Sequence, residues 1–223
     1  MTPELLRLAV DHARRVVGES CGLIVAQEGR GIGDYMPVRN LAVERDRFTI
    51  AAEDWVRAED HGRVVAVVHS HPDDPAPSEA DRMACDLSGL PWAIVTPGSA
   101  WTVITPQGRP FEGRAFCWGL DDCWSLVREW MGIEQDWLRE PEFWRGRDLI
   151  STNLQRAGFR PVDGLTPNPG DGLVFNVHGR CPDHVAVYLG GGQMLHQPAG
   201  RFSIVEAVGR YVEKLAYIAR RIA

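Results

Sequence analysis

RVVAVVHSHPDDPAPSEADRMACDLSG, residues 63 to 89, decides the fold of the first half of the chain. Its unbroken apolar run reads as a strand buried on both faces. His69 and His71 close that strand, and residues two apart on a strand share a side, so both imidazoles point the same way. The prolines and aspartates that follow mark a turn. Ser78 then stands where a helix N-cap belongs, ahead of a first turn whose acidic residues suit the helix dipole.

Working outward, residues 3 to 17 place Leu5, Leu6, Ala9, Val10, Ala13, Val16 and Val17 at helical spacing behind Thr2 and Pro3. CGLIVAQ (21–27) reads as a buried strand and residues 49–62 as a helix stopped by Gly62. WAIVT (92–96) and AWTVITP (100–106) read as a hairpin around Pro97 and Gly98. The Gly- and Arg-rich segment 107–119 has no clean period and holds the expected boundary, giving domains 1–107 and 108–223. Beyond it, residues 121–133 and 147–159 are helix candidates joined by an acidic, Trp-rich loop. GDGLVFNV, DHVAVYLGGG, GQMLHQ, SIVEA and KLAYIARRI follow as short strands.

At 223 residues, with 44% hydrophobic and 24% charged residues, the chain has enough apolar surface for ordinary globular cores. A net charge of -6 argues against a partner held by phosphate contacts, so no nucleic acid is expected. The N-terminus lacks the apolar core of a secretory signal and no stretch reaches the length of a membrane span, so synthesis in the cytoplasm is expected. Five cysteines, odd in number and without a CxxC pair, suggest neither a disulfide framework nor a thiolate zinc site.

Two constellations carry chemistry. His69, His71 and Asp81 would leave one position open on a tetrahedral zinc ion, the arrangement of a catalytic rather than a closed structural site. Ser78 is placed to hydrogen-bond a developing oxyanion. The elements His69-Ser70-His71-Pro72 and Ser78-Glu79-Ala80-Asp81 resemble the JAMM (MPN-plus) metallopeptidases over roughly residues 1–105. That resemblance implies zinc as cofactor and Glu19, in GESCGLIV, as the glutamate that activates water. The loop between Pro72 and Ser78 is about one residue shorter than the family's. His12 and His61 read as solvated helix residues, and His178 as a loop residue.

The second constellation begins at Cys123, at the start of a helix, where free backbone N–H groups favour a thiolate and lower its pKa. His184 and His196 lie on successive strands joined by a Gly-rich turn, which brings the imidazoles together, one as base and one orienting it. Asp122-Cys123-Trp124-Ser125-Leu126-Val127, His184-Val185-Ala186-Val187-Tyr188-Leu189-Gly190 and His196 resemble the NlpC/P60 papain-like cysteine peptidases. The resemblance implies cleavage of amide bonds in peptidoglycan stem peptides. Trp124-Ser125 replaces the family's usual Ser-Gly, as in phage tail members. Phe111, Phe116 and Trp118 occupy the region where a tyrosine often stands, which implies the Cys123 backbone N–H as oxyanion donor. Cys21, Cys85, Cys117 and Cys181 have no such partner set.

The fold class expected is therefore α/β (α+β), with a JAMM-like mixed sheet followed by a papain-like helix packed on an antiparallel sheet. The order of the two units resembles the tail-tip assembly proteins of lambda-like siphophages. That implies a place at the distal tail tip of a virion, with other tail-tip proteins and peptidoglycan as partners. A structural role with vestigial sites, and a bacterial JAMM peptidase removing a ubiquitin-like tag, are the alternatives.

Overall fold

The computed structural model describes residues 1–26, 31, 33–140, 145–162, 164 and 166–222. Gln27, the expected end of the first strand, and Trp144, in the Trp-rich loop, lie outside them. The chain forms two units, Met1–Arg109 and Pro110–Ala223, each with its own sheet.

In the first unit, Thr2 caps α1 (Pro3–Ala13) by accepting the Leu5 N–H on its hydroxyl at 3.2 Å. The helix stops four residues short of the expected end, and Val17 is 82% exposed. β1 (Cys21–Ala26), β2 (Gly33–Val38), α2 (Ala52–His61), β3 (Arg63–Ser70), α3 (Glu79–Ser88), β4 (Trp92–Val95) and β5 (Trp101–Ile104) follow. Gly62 is required after α2, because a Cβ there would meet the Ala26 carbonyl oxygen at 2.6 Å. The sheet order is β2-β1-β3-β4-β5. β3 runs antiparallel to β1 and parallel to β4, with α3 as the crossover, so its interior position buries seven of its eight residues. The end of β3 and the start of α3 thus open at the carboxyl edge of a parallel pair, where α/β sheets place ligands. β2 was not expected from the sequence.

In the second unit, α4 (Cys123–Trp130), α5 (Leu149–Arg156), β6 (Phe159–Val162), β7 (Gly172–Phe175), β8 (His184–Gly190), β9 (Gln193–His196), β10 (Ile204–Ala207) and β11 (Leu215–Arg221) form the frame. The sheet order is β10-β9-β8-β7-β11-β6, antiparallel throughout. β6 was not expected. Alternation along the strands divides the apolar residues between two faces. Val174, Val185, Val187 and Leu195 pack with Trp124, Leu126 and Val127 of α4, whereas Leu173, Phe175, Ala186, Met194 and Ile218 form a second core. The mixed α+β class expected from the sequence is the class observed. Among the described residues, no helix is long and apolar enough to cross a membrane.

Candidate active sites

The end of β3 and the first turn of α3 bring three ligating groups together. His69 Nε2 lies 3.1 Å from His71 Nε2 and 3.1 Å from Asp81 Oδ1, and His71 Nε2 lies 3.4 Å from Asp81 Oδ2. Zinc bonds of about 2.0–2.2 Å to nitrogen and oxygen in tetrahedral geometry give ligand separations of roughly 3.3–3.5 Å, so the donor set fits a zinc ion. His71 Nδ1 sits 3.1 Å from the Asp74 carbonyl, which would receive the ring proton and leave Nε2 free as a ligand. His69 is buried, its ring stacked on Phe48 and edge-on to Trp92, and among the described residues its Nδ1 has no hydrogen-bond partner.

Three hydrogen bonds join Ser78 to Asp81. Its hydroxyl donates to Asp81 Oδ2 at 2.7 Å and accepts the Asp81 N–H at 3.1 Å, while its own N–H donates to the same carboxylate at 2.7 Å. The hydroxyl proton is therefore engaged with a carboxylate and would have to rotate away to meet an oxyanion. Burial would push the Asp81 carboxyl up, but the hydrogen bonds from His69 and Ser78 outweigh it and hold the group well below its ordinary range. Glu19 Oε1 stands 3.9 Å from His71 Nε2. Burial, reinforced by Asp81 and Asp46 and opposed by His71, pushes its carboxyl up to about 7. The strand start is pinned by Ser20 N–H to the Ser70 hydroxyl at 2.9 Å, and Asn40 holds the Glu19 carbonyl at 2.9 Å. Asn40 carried no signal in the sequence.

In the second unit, a tight turn closed by paired backbone hydrogen bonds between Cys117 and Asp121 delivers Asp122 to the N-cap of α4. Asp122 accepts the Ser125 N–H at 2.8 Å and the Gly119 N–H at 2.9 Å, and Gly119 adopts φ 86°, a conformation suited to glycine. Cys123 follows at the first helical position, 7% exposed, its sulfur taking a backbone hydrogen bond from Val185 at the start of β8. His184 Nε2 lies 2.9 Å from His196 Nδ1, and His196 Nε2 lies 2.7 Å from Glu206 Oε1 on β10. The two expected histidines thus meet. Glu206 was missed, since it sits in a short strand with no motif of its own.

The expected lowering of the Cys123 pKa is overturned. Burial, then the Asp122 carboxylate, pushes the thiol up to about 12, against hydrogen bonds from Val185 and Trp124. Burial, then His196 and His178, pushes His184 down to about 3. The resting pair is neutral, and no hydrogen bond joins the Cys123 sulfur to His184. The dipole of an eight-residue helix does not offset the loss of solvation. His12 also departs from expectation: it is half-buried, with Nδ1 2.8 Å from the Tyr35 hydroxyl. His61 is exposed, as is the side chain of His178. Cys21, Cys85 and Cys117 are core residues. Trp124 is buried against Trp137, which assigns that part of the Trp-rich region to core packing.

Two family models divide the chain between them: prokaryotic homologs of the JAB domain match residues 2–111, and the NlpC/P60 family matches residues 113–221. Tail tip assembly protein K of Escherichia phage N15 is 38% identical over 212 residues, covering 90% of this chain and 86% of the relative. Tail tip assembly protein K of Escherichia phage lambda is 38% identical over 172 residues, covering 74% and 83%. An NlpC/P60 family protein from Bacillus cereus superposes with a TM-score of 0.37 at 14% identity, covering 96% of this chain and 66% of its own. The class defined by these matches is a two-unit protein that joins a JAB-type domain to an NlpC/P60 domain. Within that class, the chain belongs to the phage tail tip assembly protein K family.

Proposed function

We propose that this protein is a phage tail-tip component with peptidase activity, acting through Cys123, His184 and His196 on amide bonds in the stem peptides of host peptidoglycan. The observation that carries the reading is the 2.9 Å contact between His184 and His196 at the start of β8, where the Cys123 sulfur also lies. In the reaction, the Cys123 sulfur attacks the amide carbonyl carbon and its proton passes to His184. The Cys123 backbone N–H, free at the helix N-terminus, faces the developing oxyanion. His184 then protonates the leaving amine, and water attacks the acyl carbon and displaces the sulfur, with His184 taking the water proton and returning it to the Cys123 sulfur. His196 holds the base in place. The neutral resting pair means that charge separates only as the thiol is consumed.

The first unit supports a second chemistry. His69, His71 and Asp81 would hold a zinc ion, which when bound lowers the pKa of a coordinated water and polarises a carbonyl. Glu19, whose Oε1 lies 3.9 Å from His71 Nε2, is placed to take a proton from that water and to return it to a leaving amine. Ser78 fixes Asp81 and, on rotation of its hydroxyl, would donate to an oxyanion. The substrate proposed for this half is another tail protein, trimmed or positioned during assembly at the distal tail tip.

The test is digestion of purified peptidoglycan by wild type and Cys123→Ala, with released muropeptides identified by mass spectrometry. Release of stem-peptide fragments by the wild type alone supports the reading. No release from either leaves the assembly role of the tail tip as the function, with the cysteine site vestigial.

A further inference from the structure

Three contacts run in series away from the Cys123 region: His184 to His196, His196 to Glu206, and Glu206 to Tyr211. Glu206 lies on β10, where Ile204 pairs with His196, so the glutamate stands diagonally across from the imidazole it meets. Its side chain is 8% exposed. Besides His196, its Oε1 accepts the Tyr211 hydroxyl at 3.0 Å and its Oε2 accepts Arg210 Nη1 at 3.2 Å, while Arg201 lies 4.0 Å from Oε1. Burial would raise the carboxyl, but the hydrogen bonds from His196 and Tyr211, with the nearby Arg201 charge, hold it below its ordinary value, and burial lowers the His196 pKa so that this ring is neutral at neutral pH. The group is an ionised acceptor at neutral pH.

An ionised carboxylate can only accept, and that fixes every proton in the series. Glu206 requires the proton of His196 to sit on Nε2. His196 Nδ1 is then a lone pair, so the contact at 2.9 Å requires His184 to donate from Nε2. A neutral imidazole carries one proton, which leaves His184 Nδ1 as a bare lone pair. That is the state a general base must have before it can take a thiol proton. Either ring in the other tautomer would set two protons or two lone pairs against each other along this line.

We infer that Glu206 is a positioning residue of the cysteine site, whose carboxylate sets the tautomers of His196 and His184 and thereby leaves His184 Nδ1 free to accept the Cys123 proton. The inference rests on the peptidase reading for its purpose but not for its geometry. Glu206→Gln keeps the shape of the side chain and offers an amide that can donate to His196 Nε2, which would move both imidazole protons onto Nδ1 and block the base. A comparable change behind the histidine of serine proteases, with geometry intact, costs about 10⁴-fold in kcat.

The experiment is long-range proton–nitrogen NMR of ¹⁵N-histidine-labelled full-length protein at neutral pH, with His184 and His196 assigned from His184→Gln and His196→Gln spectra. The same samples are tested for the rate of Cys123 alkylation by iodoacetamide, read by peptide mapping. Wild type is expected to show both rings protonated on Nε2. Glu206→Gln is expected to show both on Nδ1 and to alkylate at least 100-fold more slowly at Cys123. A Glu206→Gln protein with wild-type melting behaviour whose ring tautomers are unchanged overturns the inference, as does a wild-type His184 protonated on Nδ1. Should Glu206→Gln fail to fold, the wild-type tautomers decide alone. Absence of muropeptide release by wild type, with the tautomers as stated, removes the proposed substrate and leaves this assignment standing.

Discussion

Arg139 Nε lies 3.1 Å from Asp122 Oδ2, with 1% and 2% of the two side chains exposed. The guanidinium also donates to the Ser125 hydroxyl at 2.9 Å and pairs with Asp136, so a loop after α4 is tied to the residue that caps the helix begun by Cys123. Removing the cation alone strands a buried carboxylate. Arg139→Ala is expected to destabilise the second unit by about 3–5 kcal/mol, measured by urea denaturation. A loss under about 1 kcal/mol would mean that Asp122 finds other solvation.

The candidate metal cluster and the candidate cysteine site lie in different units and share no residue, so their losses should separate. His69→Ala with His71→Ala is expected to abolish zinc binding, measured by elemental analysis after dialysis against zinc, and to leave Cys123-dependent release of muropeptides intact. Loss of that release on chelation would show that the two chemistries have been assigned to the wrong halves.

Ser78 touches Asp81 through its hydroxyl and its N–H, so it acts on the ligand whether or not it acts on substrate. Ser78→Ala removes the hydroxyl contacts and keeps the N–H contact. Zinc affinity is expected to fall by about 10–100-fold, the usual effect of losing a group that orients a ligand, read by competition with a chromophoric chelator. Unchanged affinity would confine Ser78 to capping α3.

The buried His184 makes the second unit sensitive to acid. Its pKa falls from 6.5 in the unfolded chain to about 3 in the folded one. Between those values the unfolded chain holds a proton that the folded chain does not, so stability rises with pH across that window. At pH 7 neither state is charged and this acid penalty is absent. His184→Gln lacks the penalty, so its melting temperature relative to wild type is expected to be higher at pH 5 than at pH 7. An equal difference at both values would place His184 in contact with solvent.

The central strands and the clustering of the candidate residues were legible because each repeats a strong local pattern: the apolar run of β3 that carries His69 and leads into His71, the Ser78 cap, and the matched flanks of Cys123 and His184. The two missed strands share a cause. β2 and β6 are sheet edges, and each contains a proline, Pro37 or Pro161, which argues against a central strand but is tolerated where one side of the backbone is unpaired. The overlong reading of α1 followed the apolar spacing of Val16 and Val17, which the structure leaves outside the helix. Asn40, Arg139 and Glu206 had no sequence signal, because each acts through a partner that only the tertiary fold supplies. The Cys123 pKa was misjudged for a related reason. The helix N-terminus is visible in sequence, whereas burial and the nearby Asp122 charge depend on packing.

The cluster of His69, His71 and Asp81 is written within residues 69 to 81, on one strand, one turn and the start of one helix. The series from Cys123 to Glu206 instead needs α4, β8, β9 and β10, the last of which ends at Ala207. Closing so long a loop is slow compared with closing a short one. During translation, therefore, a chain still short of residue 206 carries the cysteine without the carboxylate that sets its base.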